Sequence, residues 1–243
     1  MMMKRQLFFS LCVTISLVIA TLCVAEPIAP KFLCPQGATS SADTELIAKV
    51  QDAYKKLANF SAQFEQESYL SALDVSETST GAVWFERPGK MKWDYASPEP
   101  QEFLVKDNTF WFYQHQDEQV TINSFEDVVL SELPISFLMG IGDLDRDFTL
   151  QGSCATPDHT LLSLTPKNGP SVVAQSGEEE GIKGLVLAVD SKSYIPVGAQ
   201  VQHLGGNQTS VLFRQVAMNR LLSQDTFDVN YPNSVDVIDR RSS

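Results

Sequence analysis

Histidine is scarce in this chain. His115, His159 and His203 are its three, and none stands at a ligand spacing from a cysteine, so the usual donor sets for a metal site are missing. Cys-x-x-Cys is absent, which removes the common redox pair. There is no Gly-x-Ser-x-Gly elbow, no His-Glu-x-x-His and no pair of carboxylates that the pattern brings together. A hydrolase therefore has no visible machinery, and we expect no enzyme activity, no metal and no cofactor. Positive charge is also short: 18 Lys and Arg face 30 Asp and Glu, for a net charge of −12. That balance argues against nucleic acid and anionic membrane surfaces as partners. Repeats of useful period are lacking too.

Long uncharged runs are confined to one place. Lys4 and Arg5 form a basic head, Leu7 to Val24 carry no charge, and Cys23-Val24-Ala25 is a small-residue exit before Glu26. This is the layout of a cleaved export signal over residues 1–25. About 18 apolar residues are also the lower limit for a membrane span, but the basic head and the exit site favour cleavage. A lipidated cysteine is disfavoured, because Cys23 follows Leu22. We therefore expect an exported, periplasmic protein. The removed segment holds two basic residues and no acid, so the mature charge moves from −12 to −14. Four cysteines fall to two, Cys34 and Cys154. In an oxidising compartment such a pair is expected to form one structural disulfide, tying the N-terminal segment to the middle of the chain.

Residues 26–42 are rich in Pro, Gly, Ala and Ser and read as an extended lead-in to a single domain over 43–243. Asp43 opens a helical pattern in which Leu46, Ile47, Val50, Tyr54 and Leu57 share a face. From Phe60 the period becomes two: Phe60, Ala62 and Phe64, then Val83, Phe85 and Arg87, then Met91, Trp93 and Tyr95. Pro88-Gly89, Ser97-Pro98-Glu99-Pro100 and Asp107-Asn108 separate these strands from Gln101–Lys106, Phe110–Tyr113 and Gln119–Ile122. A second helical stretch spans Phe125 to Ile141, interrupted at Pro134. Further strands are expected at Phe148–Leu150, Thr160–Thr165, Ser171–Ala174, Leu185–Asp190, Val197–His203, Ser210–Ala217 and Thr226–Val229, with a hairpin turn at Gly205-Gly206-Asn207. Ten or eleven strands without βαβ alternation predict an α+β domain. So large an antiparallel sheet must curl into an incomplete barrel, with helices over its concave apolar face.

Several of these segments, in this order, resemble the LolA family of outer-membrane lipoprotein carriers. Phe60-Ser61-Ala62-Gln63-Phe64-Glu65-Gln66 is similar to the family's Phe-x-Ala-x-Phe-x-Gln strand. Gly81 to Tyr95, followed by Pro98, is similar to its Gly-x-Leu-x-x-x-Arg-Pro and Trp-x-Tyr signature, with Arg87-Pro88, Trp93 and Tyr95 at the matching positions. Phe110 to Tyr113, Glu118 to Val120, Leu164 to Lys167 and Phe227 to Val237 match later landmarks. Asn108 stands where the family usually has Gly, and Ser234 likewise. The long lead-in and the two mature cysteines are not general family features.

The resemblance implies a half-open barrel with a helical lid, acting as a monomer. It would carry acylated lipoproteins from an inner-membrane ABC-type releasing complex to an outer-membrane lipoprotein receptor. The implied acyl-chain cavity is the inward set Phe64, Val83, Phe85, Met91, Trp93, Tyr95, Phe103 and Val105. Tyr54 and Leu57 from the first helix, with Phe137 and Leu138 from the second, would form the lid. Each of these residues also satisfies ordinary core packing. Arg87 shares the parity of Val83 and Phe85, so its guanidinium is aimed at the apolar face and must find acceptors there. In the family the matching arginine bonds lid carbonyls and holds the cavity shut. The other reading has Arg87 curling to solvent or pairing with a surface acid. A carrier or sensor of the same architecture for a different lipid is the alternative function.

Overall fold

From Asn59 onward the side chains alternate between two environments, and the strands follow that alternation. The structure is a computed structural model, which describes Phe32 and residues 44–125, 143–156, 159–167, 169 and 181–241. Its strands are β1 (Asn59–Leu70), β2 (Val75–Glu86), β3 (Lys90–Ser97), β4 (Gln101–Lys106), β5 (Thr109–Gln114), β6 (Gln119–Ser124), β7 (Phe148–Ala155), β8 (His159–Pro166), β9 (Ile182–Asp190), β10 (Pro196–His203), β11 (Gln208–Met218) and β12 (Asp236–Asp239). Two helices are described, α1 (Thr44–Lys55) and the single turn α2 (Leu144–Asp147). All twelve strands form one sheet in the order β12-β6-β5-β4-β3-β2-β1-β11-β10-β9-β8-β7. The sheet is strongly curled but not closed.

Neighbours pair antiparallel throughout, except that β12 runs parallel to β6, with Val237 opposite Val120. Asp107 and Asn108 both adopt positive φ, 50° and 57°, the conformation that a two-residue turn between β4 and β5 requires. Thr226–Val229 is not a strand. Phe227 is buried there in a turn, so a short apolar stretch that reads as β serves as an anchor. Ser171–Ala174 and nearly all of the second helical stretch, Phe137 and Leu138 included, lie outside the described residues.

α1 buries Ile47, Val50 and Tyr54 on the concave side, as its periodicity predicts. Gln51 is buried on that face as well, and its Oε1 accepts a hydrogen bond from Leu144 N at 2.9 Å. That bond satisfies one of the free N–H groups at the start of α2. Asp143 caps the same turn, accepting from Arg146 N at 3.0 Å.

Three clusters hold the sheet. The largest fills the concave side and joins α1 to β1–β4 and β7–β11. On the convex side, Phe32 packs with Cys154, Leu161 and Ala188. A separate convex cluster joins Val120 and Ile122 to Val235, with Trp111, Tyr113 and Tyr231 beside it. Phe32 and the segment from Tyr231 to Val235 therefore cover parts of the outer face, and α1 covers the inner one.

Candidate functional site

The concave face is organised by a hole in β2. Gly81 lies opposite Phe64 of β1 and next to Tyr95 of β3. A Cβ at Gly81 would meet the Phe64 ring at 2.7 Å and Asp94 O at 2.1 Å. The missing side chain lets Phe64 lie across β2 and reach β3, where its ring is 4.7 Å from Trp93 and 4.8 Å from Tyr95, centre to centre. Aromatic contact then continues from Tyr95 to Phe103, 5.6 Å, and from Phe103 to Phe112, 4.6 Å. On the other side Phe213 of β11 contacts Phe60 and Trp93. The result is a band of rings running across the sheet from β11 to β5.

Polar groups in this band are paired. Tyr95 OH donates to Gln66 Oε1 at 2.9 Å, and Trp93 Nε1 donates to Met91 Sδ at 3.3 Å. Burial pushes the Tyr95 phenol up to about 12, with the Gln66 bond opposing the shift. Tyr54 is raised above the ordinary phenol range, again by burial, while the charge of Arg87 pulls the other way.

Arg87 sits just past β2, where the end of α1 comes down on the sheet. Its Nε donates to Leu57 O at 2.9 Å and its Nη2 to Tyr54 O at 3.1 Å. These carbonyls belong to the last turn of the helix and its exit, where the helix dipole favours a cation; Tyr54 O also accepts from Leu57 N at 3.1 Å, so the arginine adds a second bond to that carbonyl. The guanidinium carbon also lies 5.5 Å from the Tyr54 ring centre and 5.4 Å from that of Phe85. Tyr54 and Phe85 stack at 6.0 Å. A backbone bond from Arg87 N to Ala58 O, 2.9 Å, holds the strand end against the helix exit. Arg87 thus meets lid backbone carbonyls and does not curl away into solvent.

Beneath this clamp the interior is nearly full. A cavity of about 20 Å³ remains among Tyr54, Phe60, Val83, Phe85, Met91, Trp93, Pro196 and Phe213. That is room for about one water, which needs roughly 10–15 Å³ of such space, and too little for an acyl chain. Among the described residues the apolar surface is therefore packed, not held open as a loose pocket.

The structure brings Tyr54, Leu57, Phe64, Val83, Phe85, Met91, Trp93 and Val105 into the one concave cluster, with Tyr95 and Phe103 packed against it. Phe60, Pro196 and Phe213 border the cavity but stand outside the inferred set. Phe60 is recoverable from the sequence, since it shares the parity of Phe64. Phe213 and Pro196 come from strands more than a hundred residues away, and the β1–β11 and β10–β11 pairings place them. Lys90 and Lys92 are half-buried and paired with Glu86 at 2.8 Å and Glu102 at 2.7 Å. Cys154 is buried and disulfide-bonded. Cys34 lies outside the described residues, so that pairing is not shown. Among the described residues no group of His, Cys, Asp and Glu could hold a metal, and no helix is long and apolar enough to cross a membrane.

Known proteins agree with this geometry. Residues 55–230 match the family described as outer membrane lipoprotein carrier protein LolA. An outer-membrane lipoprotein carrier protein of Nitrosomonas europaea is 29% identical over 183 residues, covering 75% of this chain and 84% of the relative. One from Nitrosospira multiformis is 26% identical over 200 residues, covering 82% and 91%. An uncharacterized conserved protein from Thermus thermophilus shares the fold, with a TM-score of 0.52 at 12% identity over 81% of this chain and 98% of its own. The extent of the match and the order of its landmarks place this chain in the LolA family of outer-membrane lipoprotein carrier proteins.

Proposed function

We propose that the chain carries lipoproteins by lodging their acyl chains between the ring-lined concave face and the helical lid, and that Arg87 is the latch of the empty form. It would work in the periplasm after loss of residues 1–25, as a monomer. It would accept cargo from an inner-membrane ABC-type releasing complex and yield it to an outer-membrane receptor. The physical need is large. Burial of one methylene contributes about 0.8 kcal/mol, so three chains of about sixteen carbons cost on the order of 35 kcal/mol to expose to water.

The observation that carries the reading is the two-pronged bond from Arg87 to Leu57 O and Tyr54 O above an apolar face. A cavity of about 20 Å³ beneath Arg87 does not hold an acyl chain, so cargo would enter there by α1 lifting. Lifting it breaks charge-assisted bonds worth about 1.5–3 kcal/mol each. Re-forming them on closure helps to expel the cargo. The latch lowers affinity, and in doing so makes release possible.

The test is transfer between two membranes. Arg87→Leu should accept lipoprotein at least as well as the wild type but pass it to outer membranes at least about tenfold more slowly, since the loss of even one such bond exceeds 1.4 kcal/mol. Arg87→Lys keeps the charge but lacks the fork, and should fall between the two. Normal delivery by Arg87→Leu would remove the latch. Mass spectrometry of lipid bound to protein drawn from its own periplasm separates lipoprotein from another lipid as the cargo.

A further inference from the structure

We infer that the tip of the β1–β2 hairpin is a docking knob for a protein partner whose surface offers an apolar pocket rimmed by Lys and Arg. Leu70, Leu73 and Val75 are 40%, 69% and 47% exposed within six residues of one another. Leu70 and Val75 face each other across the hairpin, and Leu73 sits at the turn. Scattered surface leucines need no explanation, but a cluster at a hairpin tip does. This one is open on one side. β2 pairs with β3 only as far as Thr80 opposite Ser97, so Val75–Ser79 runs about 16 Å past the end of that pairing, while β1 stays paired with β11 as far as Tyr69 opposite Gln208.

The tip is also held in shape. Ser71 Oγ donates to Gly205 O at 2.7 Å, Ser71 N donates to Asn207 Oδ1 at 3.0 Å, and Tyr69 OH donates to Asp74 Oδ1 at 2.9 Å. A turn with these bonds cannot fold its leucine back onto the protein, and prior ordering lowers the entropy lost on binding. The patch is not an extension of the cavity. On the same face Gln66 and Ser68 of β1, opposite Ser79 and Glu77 of β2, form a polar band between it and Phe64.

Charge selects the partner. From Leu57 to Glu86 the chain has no Lys or Arg, and towards the tip it carries Glu67, Asp74 and Glu77, whereas Glu65 and Glu86, farther back along the strands, are paired with Arg214 and Lys90. An acidic collar around exposed leucines repels anionic lipid and a second copy of this acidic chain, and it suits a basic rim. The knob stands at the opposite end of β2 from Arg87, so its role does not depend on what the cavity carries.

The test compares vesicles made from membranes of the host bacterium, proteins intact, with liposomes of the lipids extracted from them. Labelled protein, exported and purified from the same host, should bind the vesicles. Binding should disappear after protease shaving and be absent on liposomes. Leu73→Ser should weaken binding at least about tenfold without moving the melting temperature. Asp74→Asn with Glu77→Gln should flatten the decline of affinity with salt. Arg87→Leu should retain the Leu73-dependent binding, which keeps this result separate from the latch. Equal binding by Leu73→Ser overturns the inference. So does equal binding to liposomes, which would indicate a lipid surface, or no binding to native vesicles at all.

Discussion

At the scale of single residues, the site rests on one side chain that is present and one that is missing. Arg87 supplies a fork that bonds two carbonyls at the end of α1, Tyr54 O and Leu57 O. Gly81 supplies space where Phe64 needs to cross β2. The two differ in what they govern. Loss of Arg87 should alter cargo release with little effect on the sheet, whereas a side chain at Gly81 strikes Asp94 O, a backbone atom that cannot swing aside. Gly81→Ala should therefore destabilise by about 3 kcal/mol or more, at the upper end of overpacking costs. Gly205→Ala is the control, since a Cβ there meets nothing within 4 Å, and its change should stay within about 0.5 kcal/mol. Urea denaturation of the two variants decides the matter. Equal midpoints would mean that Phe64 finds another place. The parity of Val83, Phe85 and Arg87 made the inward aim of Arg87 legible in the sequence, and the motif resemblance pointed to its acceptors. The gap at Gly81 was not legible, because it depends on a ring from the neighbouring strand.

At the scale of elements, legibility followed burial. α1 and β3 were readable because one face of each is buried and the other is wet, which leaves a period in the sequence. The outer half of the β1–β2 hairpin left none. Ser76, Glu77 and Thr78 are exposed, no alternation of apolar residues is required of them, and the alternation alone stops near Glu65 and resumes near Val83. β12 escaped for a related reason. It is a short polar edge strand, Asp-Val-Ile-Asp, held by its pairing to β6. The elements that close the cavity also carry a pH prediction. Tyr54 of α1 and Tyr95 of β3 both titrate above the ordinary phenol value of 10.0, Tyr95 at about 12. Below about pH 9 both are neutral in the folded and unfolded chain, so they leave stability flat. Between pH 10 and 12 the unfolded chain gives up these protons while the folded chain keeps them. Stability then falls as pH rises, by about 1.4 kcal/mol per pH unit for each phenol. Tyr95→Phe should remove its share. Its stability loss between pH 9 and 11.5, read from urea midpoints, should be smaller than that of the wild type. An identical loss would show that the Tyr95 phenol ionises as freely in the fold as outside it.

At the scale of the whole molecule, the sheet has two apolar sides and the chain must cover both. Among the described residues the concave side is covered by α1 and α2, and the proposed function requires α1 to lift. The convex side is covered by the chain's own ends, Phe32 at one and Val235 with Tyr231 at the other, and nothing about transport asks these to move. Phe32 is tucked against Gly198, where a Cβ would meet its ring at 3.0 Å, and it packs on the disulfide-bonded Cys154. Cys34 follows two residues later, within about 7 Å of extended chain. If Cys34 is the partner of Cys154, the bond closes a long loop and should contribute about 2–4 kcal/mol, by limiting the freedom of the unfolded chain. Cys34→Ser and Cys154→Ser should then lower stability by similar amounts, and the double variant by no more than either single one, because both remove one bond. Dithiothreitol should bring the wild type down to the same level and leave the variants where they are. Lipoprotein transfer, which depends on the other face, should be unchanged at temperatures where all remain folded. A neutral Cys34→Ser beside a destabilising Cys154→Ser would assign the bond to another cysteine.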